Sequence, residues 1–456
     1  MKLSPSIIPN GGDYKKSGLK YVSFTSLSVA IMALPFSIKI CHTAIIVFLL
    51  SWLCEGGWRD KFLTIRQNTL LQLIIAFFLI EILSVFYTND NSAWFGVEKK
   101  IFLLLVPVAL ATTSIKLSKK ELYWIFYLFV LSCFVGSVIC IGNAAYQMNL
   151  WADGLQPFIT IDYLDASNFK ILNPDESPRW LFFSYIALAD GIGIHPTYFS
   201  LYIVFSIVFL LFQLHENSTK KKFISWIFIS YFSFFIVFLS SRVMILSLLL
   251  ILIIGMVQTI LNNEIRITAA IRLFTLICCF CCLLYFNPVS RYRNLQEIAE
   301  TSFAIHSNNI YQNSTQIRAS LWWLGLKSYS NVNPILGSGP GDVLNVMKNT
   351  SQKYNIRNSL NSYDPHNQFL FTLIGLGVVG LTLLMVLMMY SFYKGLVQKD
   401  YLFVTFIFLF CSLCITEAAL ELQKGIVFFA LFFSLQAFSE KQMISLTFKN
   451  LIRAKG

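Results

Sequence analysis

Twelve apolar runs, several of them long enough to cross a lipid bilayer, constrain this chain more than anything else in it. In hydrocarbon there is no water to satisfy the backbone, so a spanning segment must close its own hydrogen bonds. Runs of this length without strict two-residue alternation predict helices. They fall at about residues 21–37, 40–54, 70–87, 100–114, 122–146, 196–213, 223–239, 243–261, 271–287, 367–390, 401–416 and 425–439. The expected fold class is all-α: a single polytopic membrane domain over residues 1–456 with about twelve transmembrane helices. At 56% hydrophobic and 13% charged, the chain is too apolar for an ordinary soluble domain. Its 43 Phe suit lipid-facing surfaces and carry no chemistry of their own.

The net charge of +12 raises nucleic acid as a partner, but the charges are distributed as a topology signal. With the N-terminus cytoplasmic, the inner segments hold 21 of the 35 Lys and Arg and only 8 of the 23 acids. Every inner loop is basic, down to Lys220, Lys221 and Lys222. That is the positive-inside pattern, and it removes the need for a nucleic-acid surface. The segment holding Lys15, Lys16 and Lys20 leads into a first helix without a convincing cleavage site, so that helix reads as retained. All ten Cys lie in or beside apolar segments, which indicates neither a disulfide framework nor a zinc site.

This topology leaves two large segments outside. The first, residues 147–195, is acidic, with Asp153, Asp162, Asp165, Asp175 and Glu176. The second, residues 287–366, lies between spans nine and ten and is the expected functional element. Within it Ile317 to Tyr329 has helical apolar spacing with Trp322 and Trp323, fitting an interfacial helix. Pro334 to Asp342 reads as a turn cluster, and Asp342 to Tyr354 as a short amphipathic helix.

Where this segment re-enters the membrane, Asp364 reads as an N-cap and Pro365 as the first helical residue. His366 then falls in the first turn, where the partial positive charge of a helix N-terminus favours neutral imidazole. A neutral histidine there suits removal of a proton from a hydroxyl. The plainer alternative is that it only helps to cap the helix. Gly375, Gly377 and Gly380 spell a G-x-G-x-x-G, but no strand precedes it, so close helix approach replaces the dinucleotide reading.

Charges at a membrane are expensive and tend to mark function. Arg242 follows Ser240 and Ser241 in a tight outer hairpin, and Arg318 opens the Trp-bearing helix. Alone, each serves as an anchor or a headgroup contact. Together with His366 they share one face, and two guanidiniums suit bidentate binding of phosphate oxygens. Glu81, Lys99, Lys100, His195, Glu417, Glu421 and Lys424 lie toward the same side, with structural pairing as their default role. Lys100, His195 and Glu417 are kept as secondary site candidates. The sequence has no Walker loop, HExxH or spaced D-x-D pattern, so a metal-free, cofactor-free transfer from a phosphorylated leaving group is expected.

These pieces resemble a known family. SSRVMIL around Arg242, IRASLWWLGLKSY with NPILGSGPGD, DPHNQFLFTLIGLGVVGL around His366, and TEAALELQKGIVFF are similar to bacterial O-antigen ligases and O-antigen polymerases. The resemblance covers roughly Phe234 to Phe438, and the first half matches by topology alone. It implies a glycan donor on undecaprenyl pyrophosphate, attacked at the periplasmic face of the bacterial inner membrane by an acceptor hydroxyl. It further implies that Arg242 and Arg318 engage the pyrophosphate, that His366 activates the acceptor, and that the anomeric carbon inverts without metal. The acceptor is lipid A–core for a ligase, a growing glycan for a polymerase, or a protein hydroxyl. The rival class, a lipid-linked glycan flippase or other transporter, predicts repeated halves and midplane charges, and the chain shows neither.

Overall fold

The computed structural model describes residues 11–90, 93–153, 179–214, 219–261, 267–297, 314–354, 356 and 363–439. Asp162, Asp165, Asp175 and Glu176 of the first predicted loop, residues 298–313 of the second, and both chain ends lie outside them.

Helices account for nearly all of the described chain, and no strand occurs among the described residues beyond one isolated bridge between Asn333 and Gly337. In chain order they are α1 Gly11–Ala33, α2 Ile38–Cys54, α3 Trp58–Gln67, α4 Thr69–Ser84, α5 Ala93–Lys99, α6 Ile101–Thr112 and α7 Lys119–Ala152. There follow α8 Arg179–Phe182, α9 Tyr185–Ala189, α10 Pro196–Gln213, α11 Thr219–Leu239, α12 Arg242–Leu261, α13 Ile267–Phe286 and α14 Pro288–Arg291. The last five are α15 Ser314–Tyr329, α16 Val343–Lys353, α17 Gln368–Gln398, α18 Tyr401–Thr416 and α19 Gln423–Phe438. Each of the twelve apolar runs falls on one of these helices. By length and composition four helices can cross a membrane, or six if each of two bent pairs is one span. This is an integral membrane protein.

The phenylalanines correct an expectation. Many face inward: Phe205 sits 4.9 Å from Phe432 and 5.5 Å from Phe406, and Phe129 lies 4.7 Å from Phe432. Lipid tails are as apolar as a Phe ring, so burying rings gains little from water exclusion and much from dense contact and tilted ring pairs. Helices α10 and α19 are buried along almost their whole length and carry this aromatic core.

One bend and one break shape the end of the bundle where the candidate residues gather, and a second bend lies at the opposite end. Helices α13 and α14 meet at 94° across Asn287, whose side chain caps the second with Pro288 at its first position. The bend lays α14 against the end of α11, where the Ser290 hydroxyl donates to the Val237 carbonyl at 3.0 Å. The other bend, 111° between α2 and α3, has no predicted counterpart. It turns on Gly56 and Gly57, both at positive φ, and Lys61 folds back to donate to the Trp52 carbonyl at 2.6 Å.

The break is in α17. Gly377 has φ 63° and ψ −163°, a conformation open essentially only to glycine. Backbone groups freed there are taken up by the turn after α15. The Ser338 and Gly339 N–H groups donate to the Ile374 and Gly375 carbonyls at 2.9 and 2.8 Å. In return the Val378 and Val379 N–H groups donate to Pro334 and Ile335. A Cβ on Gly377 would strike the Ile335 carbonyl, and one on Gly337 would come within 2.5 Å of the Gly375 carbonyl group. The glycine motif does permit a close approach, as expected, but of a loop and not of a second helix.

Candidate active site

A satellite core sets the site. Leu321 and Leu324 of α15, Val343 and Met347 of α16, Phe371 and Ile374 of α17, and Ala418 after α18 are buried together. Three of these segments carry a neighbour with chemistry: Arg318 lies one turn before Leu321, His366 five residues before Phe371, and Glu417 beside Ala418. Packing of the apolar residues therefore fixes three polar ones.

Those three form a chain. Arg318 Nη2 donates to Glu417 Oε1 at 3.1 Å, and His366 Nδ1 lies 3.2 Å from Glu417 Oε2. Glu417, an acid that on its own reads as a structural partner, is the bridge between arginine and histidine. It is 4% exposed. Burial alone would raise its carboxyl, but the hydrogen bond from His366 and the charges of His195, Arg318 and His366 hold it below the ordinary range.

The predicted cap is displaced. Helix α17 begins at Gln368, and Asn367, not Asp364, caps it by accepting the Leu370 N–H at 3.0 Å. Asp364 instead closes a tight turn, accepting the His366 N–H at 2.6 Å. His366 sits just outside the helix at φ 43°, a strained conformation for a residue with a Cβ, and Trp322 Nε1 meets its carbonyl at 3.5 Å. The electrostatic expectation reverses with it. Burial lowers the imidazole's pKa, but the bond to Glu417 and the charges of Asp364 and Glu417 outweigh it, and the net direction is upward. A paired carboxylate at contact distance overrides the diffuse charge of a helix end.

Arg242, at the start of α12, is also paired. Its guanidinium bonds Glu297 and the hydroxyls of Thr315 and Ser314. Glu297 in turn accepts from Ser314 Oγ at 2.9 Å and the Thr315 N–H at 3.1 Å. Burial favours the neutral acid, yet Arg242 and Arg293 hold Glu297 below its usual pKa. Thus α12 is tied to the first turn of α15, and Arg242 to the neighbourhood of Arg318.

Arg293 had no sequence signal beyond its charge. The α13–α14 bend brings it into the same wall, buried, with its guanidinium 3.5 Å from the Tyr185 ring centre. Arg242, Arg293 and Arg318 together line a cavity of about 20 Å³, with Tyr185, Thr197 and Thr416 among its walls. Each of the three has a buried Nε–H without a hydrogen-bond partner among the described residues. Orphaned buried donors are rare in folded proteins, and the three arginines that carry them and line this cavity are chemically suited to an anion.

The other two predicted residues divide. His195 caps α10, accepting the Thr197 N–H through Nδ1 at 3.4 Å. It borders the cluster: desolvation lowers its pKa, Glu417 opposes this, and Arg318, His366 and Arg293 add to it. Lys100 stands beside the satellite core, its ammonium 5.8 Å from the Phe371 ring centre. It is buried between Glu81 and Glu421, 2.7 Å from each, and ties α4 to the turn before α19. It makes no hydrogen bond to Arg318, His366 or Glu417 among the described residues.

The segment carrying most of this geometry, residues 226–385, matches the family model described as O-antigen ligase. The match covers about a third of the chain and supports membership of that family. No curated protein matches it. The O-antigen ligase segment contains Arg242, Arg293, Glu297, Arg318 and His366, whereas Glu417, His195 and Tyr185 lie outside it. Members of that family are ligase- and polymerase-type membrane glycosyltransferases.

Proposed function

We propose that this protein transfers a glycan from undecaprenyl pyrophosphate to an acceptor hydroxyl on lipid A–core, at the periplasmic face of the bacterial inner membrane. The observation that carries this reading is the set of three arginines, each with an orphaned Nε–H, that line one cavity beside the Arg318–Glu417–His366 chain. At about 20 Å³ the cavity has room for one phosphate oxygen, since a water needs roughly 10–15 Å³. The remaining pyrophosphate oxygens would lie over the guanidiniums, whose planar forks suit them.

His366 supplies the other half. With the proton kept on Nδ1 and hydrogen-bonded to Glu417, the Nε2 lone pair is left for the acceptor hydroxyl. That hydroxyl oxygen attacks the anomeric carbon as its proton passes to Nε2. The bond from that carbon to the pyrophosphate oxygen breaks, and the electron pair leaves with undecaprenyl pyrophosphate. Attack opposite the leaving group inverts the centre. Charge grows on the pyrophosphate in the transition state, where fixed cations are most effective. Glu417 stabilises the imidazolium formed at the same moment. The guanidiniums supply the charge, which supports a metal-independent reaction. The large segment late in the chain favours a ligase over a polymerase or a protein-modifying relative.

Two experiments bear on this reading. Lysine at Arg242 or Arg318 keeps the charge and loses the fork, so each variant is expected to weaken binding of lipid-linked donor by about 10-fold or more. Donor titration of purified protein measures it, with a melting curve to show that the Glu297 pairing survives. Undiminished activity of the double variant would reduce both arginines to anchors.

Orientation follows from the basic inner loops, which support twelve crossings with both termini in the cytoplasm. In a cysteine-free background, Lys348→Cys should react with a membrane-impermeant thiol reagent in spheroplasts. Lys220→Cys should react only after permeabilisation, and the opposite result places the site in the cytoplasm.

A further inference from the structure

Beyond the far end of α15 lies a second, larger concavity of about 490 Å³. Arg318 stands in the first turns of that helix and Asn331 just past its last, so the groove is on the order of 20 Å from the arginines. Its walls include Asn89, Asn333, Asn345, Asn349, Asp342 and Tyr87, and no Lys or Arg. A phosphate would find no cation here.

The amides are displayed, not consumed. Asn345 and Asn349 lie one turn apart on α16, both exposed, and their side chains make no hydrogen bond among the described residues. Asn333 spends Oδ1 on the Ile335 and Leu336 N–H groups at 2.9 and 3.1 Å, which leaves its amide nitrogen available. The floor is rigid. Asp342 accepts the Asn89 N–H at 2.6 Å, Tyr87 donates to the Leu336 carbonyl at 2.7 Å, and Ser338 is bonded to α17. The concavity is thus preformed and within the size range of small-ligand sites.

A side-chain amide donates and accepts at once, as a sugar hydroxyl does. A row of neutral amides with one tyrosine is suited to an uncharged polyhydroxylated ligand. We infer that this groove binds neutral sugar units of a glycan about 20 Å from the arginines. The inference rests on the glycan-transfer reading for the source of those sugars, which is either the distal part of the donor or the acceptor glycan.

The test uses the full-length protein with Asn345→Leu/Asn349→Leu, and with Asn345→Ser/Asn349→Ser as a smaller change on the same exposed face. Transfer is measured with donors carrying one sugar or the full glycan, and separately with short and long acceptors. Binding of free oligosaccharide, released from the donor by mild acid, is measured alongside. The expected result is a rise in KM of about 10-fold for the long form of one substrate only, with its short form unchanged. The substrate affected identifies the source. Weakened oligosaccharide binding should accompany it. Equal losses for short and long substrates, or unchanged oligosaccharide binding in both variants while wild-type transfer proceeds, would overturn the groove. Groove-dependent oligosaccharide binding by a wild type that transfers nothing would uphold it and sink the transfer reading instead.

Discussion

His366→Ala is expected to lower glycan transfer by about 10²–10⁴-fold, the usual worth of a positioned general base, and to leave donor affinity within about twofold. The two effects separate because different groups carry them. The orphaned Nε–H groups belong to Arg242, Arg293 and Arg318, whereas His366 faces Glu417. Purified protein allows donor binding and transfer to be measured independently, and loss of both together would assign His366 to the donor site or to folding. The pH profile adds a sign. The base is the neutral imidazole, and its pKa is raised above the ordinary histidine value by Glu417 and Asp364. Transfer should therefore fall on the acid side with a midpoint above about 6.5, the ordinary value. A midpoint below it would mean that the carboxylates do not govern the ring.

Glu417→Gln tests the bridge. The amide is neutral, so Arg318 loses its counter-charge and His366 loses the anion that steadies its protonated form. Burial then acts on the imidazole with less opposition, and the acid limb should move to lower pH. The maximal rate should fall on the order of 10²-fold, because a less basic histidine also accepts the proton less readily. Groups that act as one unit are not additive, so adding Glu417→Gln to His366→Ala should cost little more than His366→Ala alone. Independent, multiplying losses would show that Glu417 serves Arg318 and not the histidine.

Much of this arrangement was legible in the residues. Arg242, Arg318 and His366 stood out because charge beside a membrane is costly, and the helices fell where apolar runs placed them. Local rules failed where tertiary contacts compete. Asp364-Pro365 has the look of a cap, yet Asn367 caps the helix because Asp364 is drawn into a turn around His366. The His195-Pro196 pair, built from the same logic, does cap its helix. Arg293 and Glu297 gave no signal because a 94° bend at Asn287 decides where they point, and a bend sums over packing that no short motif encodes. Glu417 stood as a secondary candidate, with nothing in the sequence to name its partners. Its partners lie 99 and 51 residues away along the chain.

The seam between the turn at 334–339 and the break in α17 joins main chain to main chain. Apart from the glycines that permit the approach, side chains can therefore be exchanged on either side of it without altering its register. The α16 surface rises from one side of this join, and His366 is anchored just before the other. A new ligand preference written into that surface would leave the distance to the reacting atom as it was. Recognition and reaction share a ruler whose markings are peptide bonds.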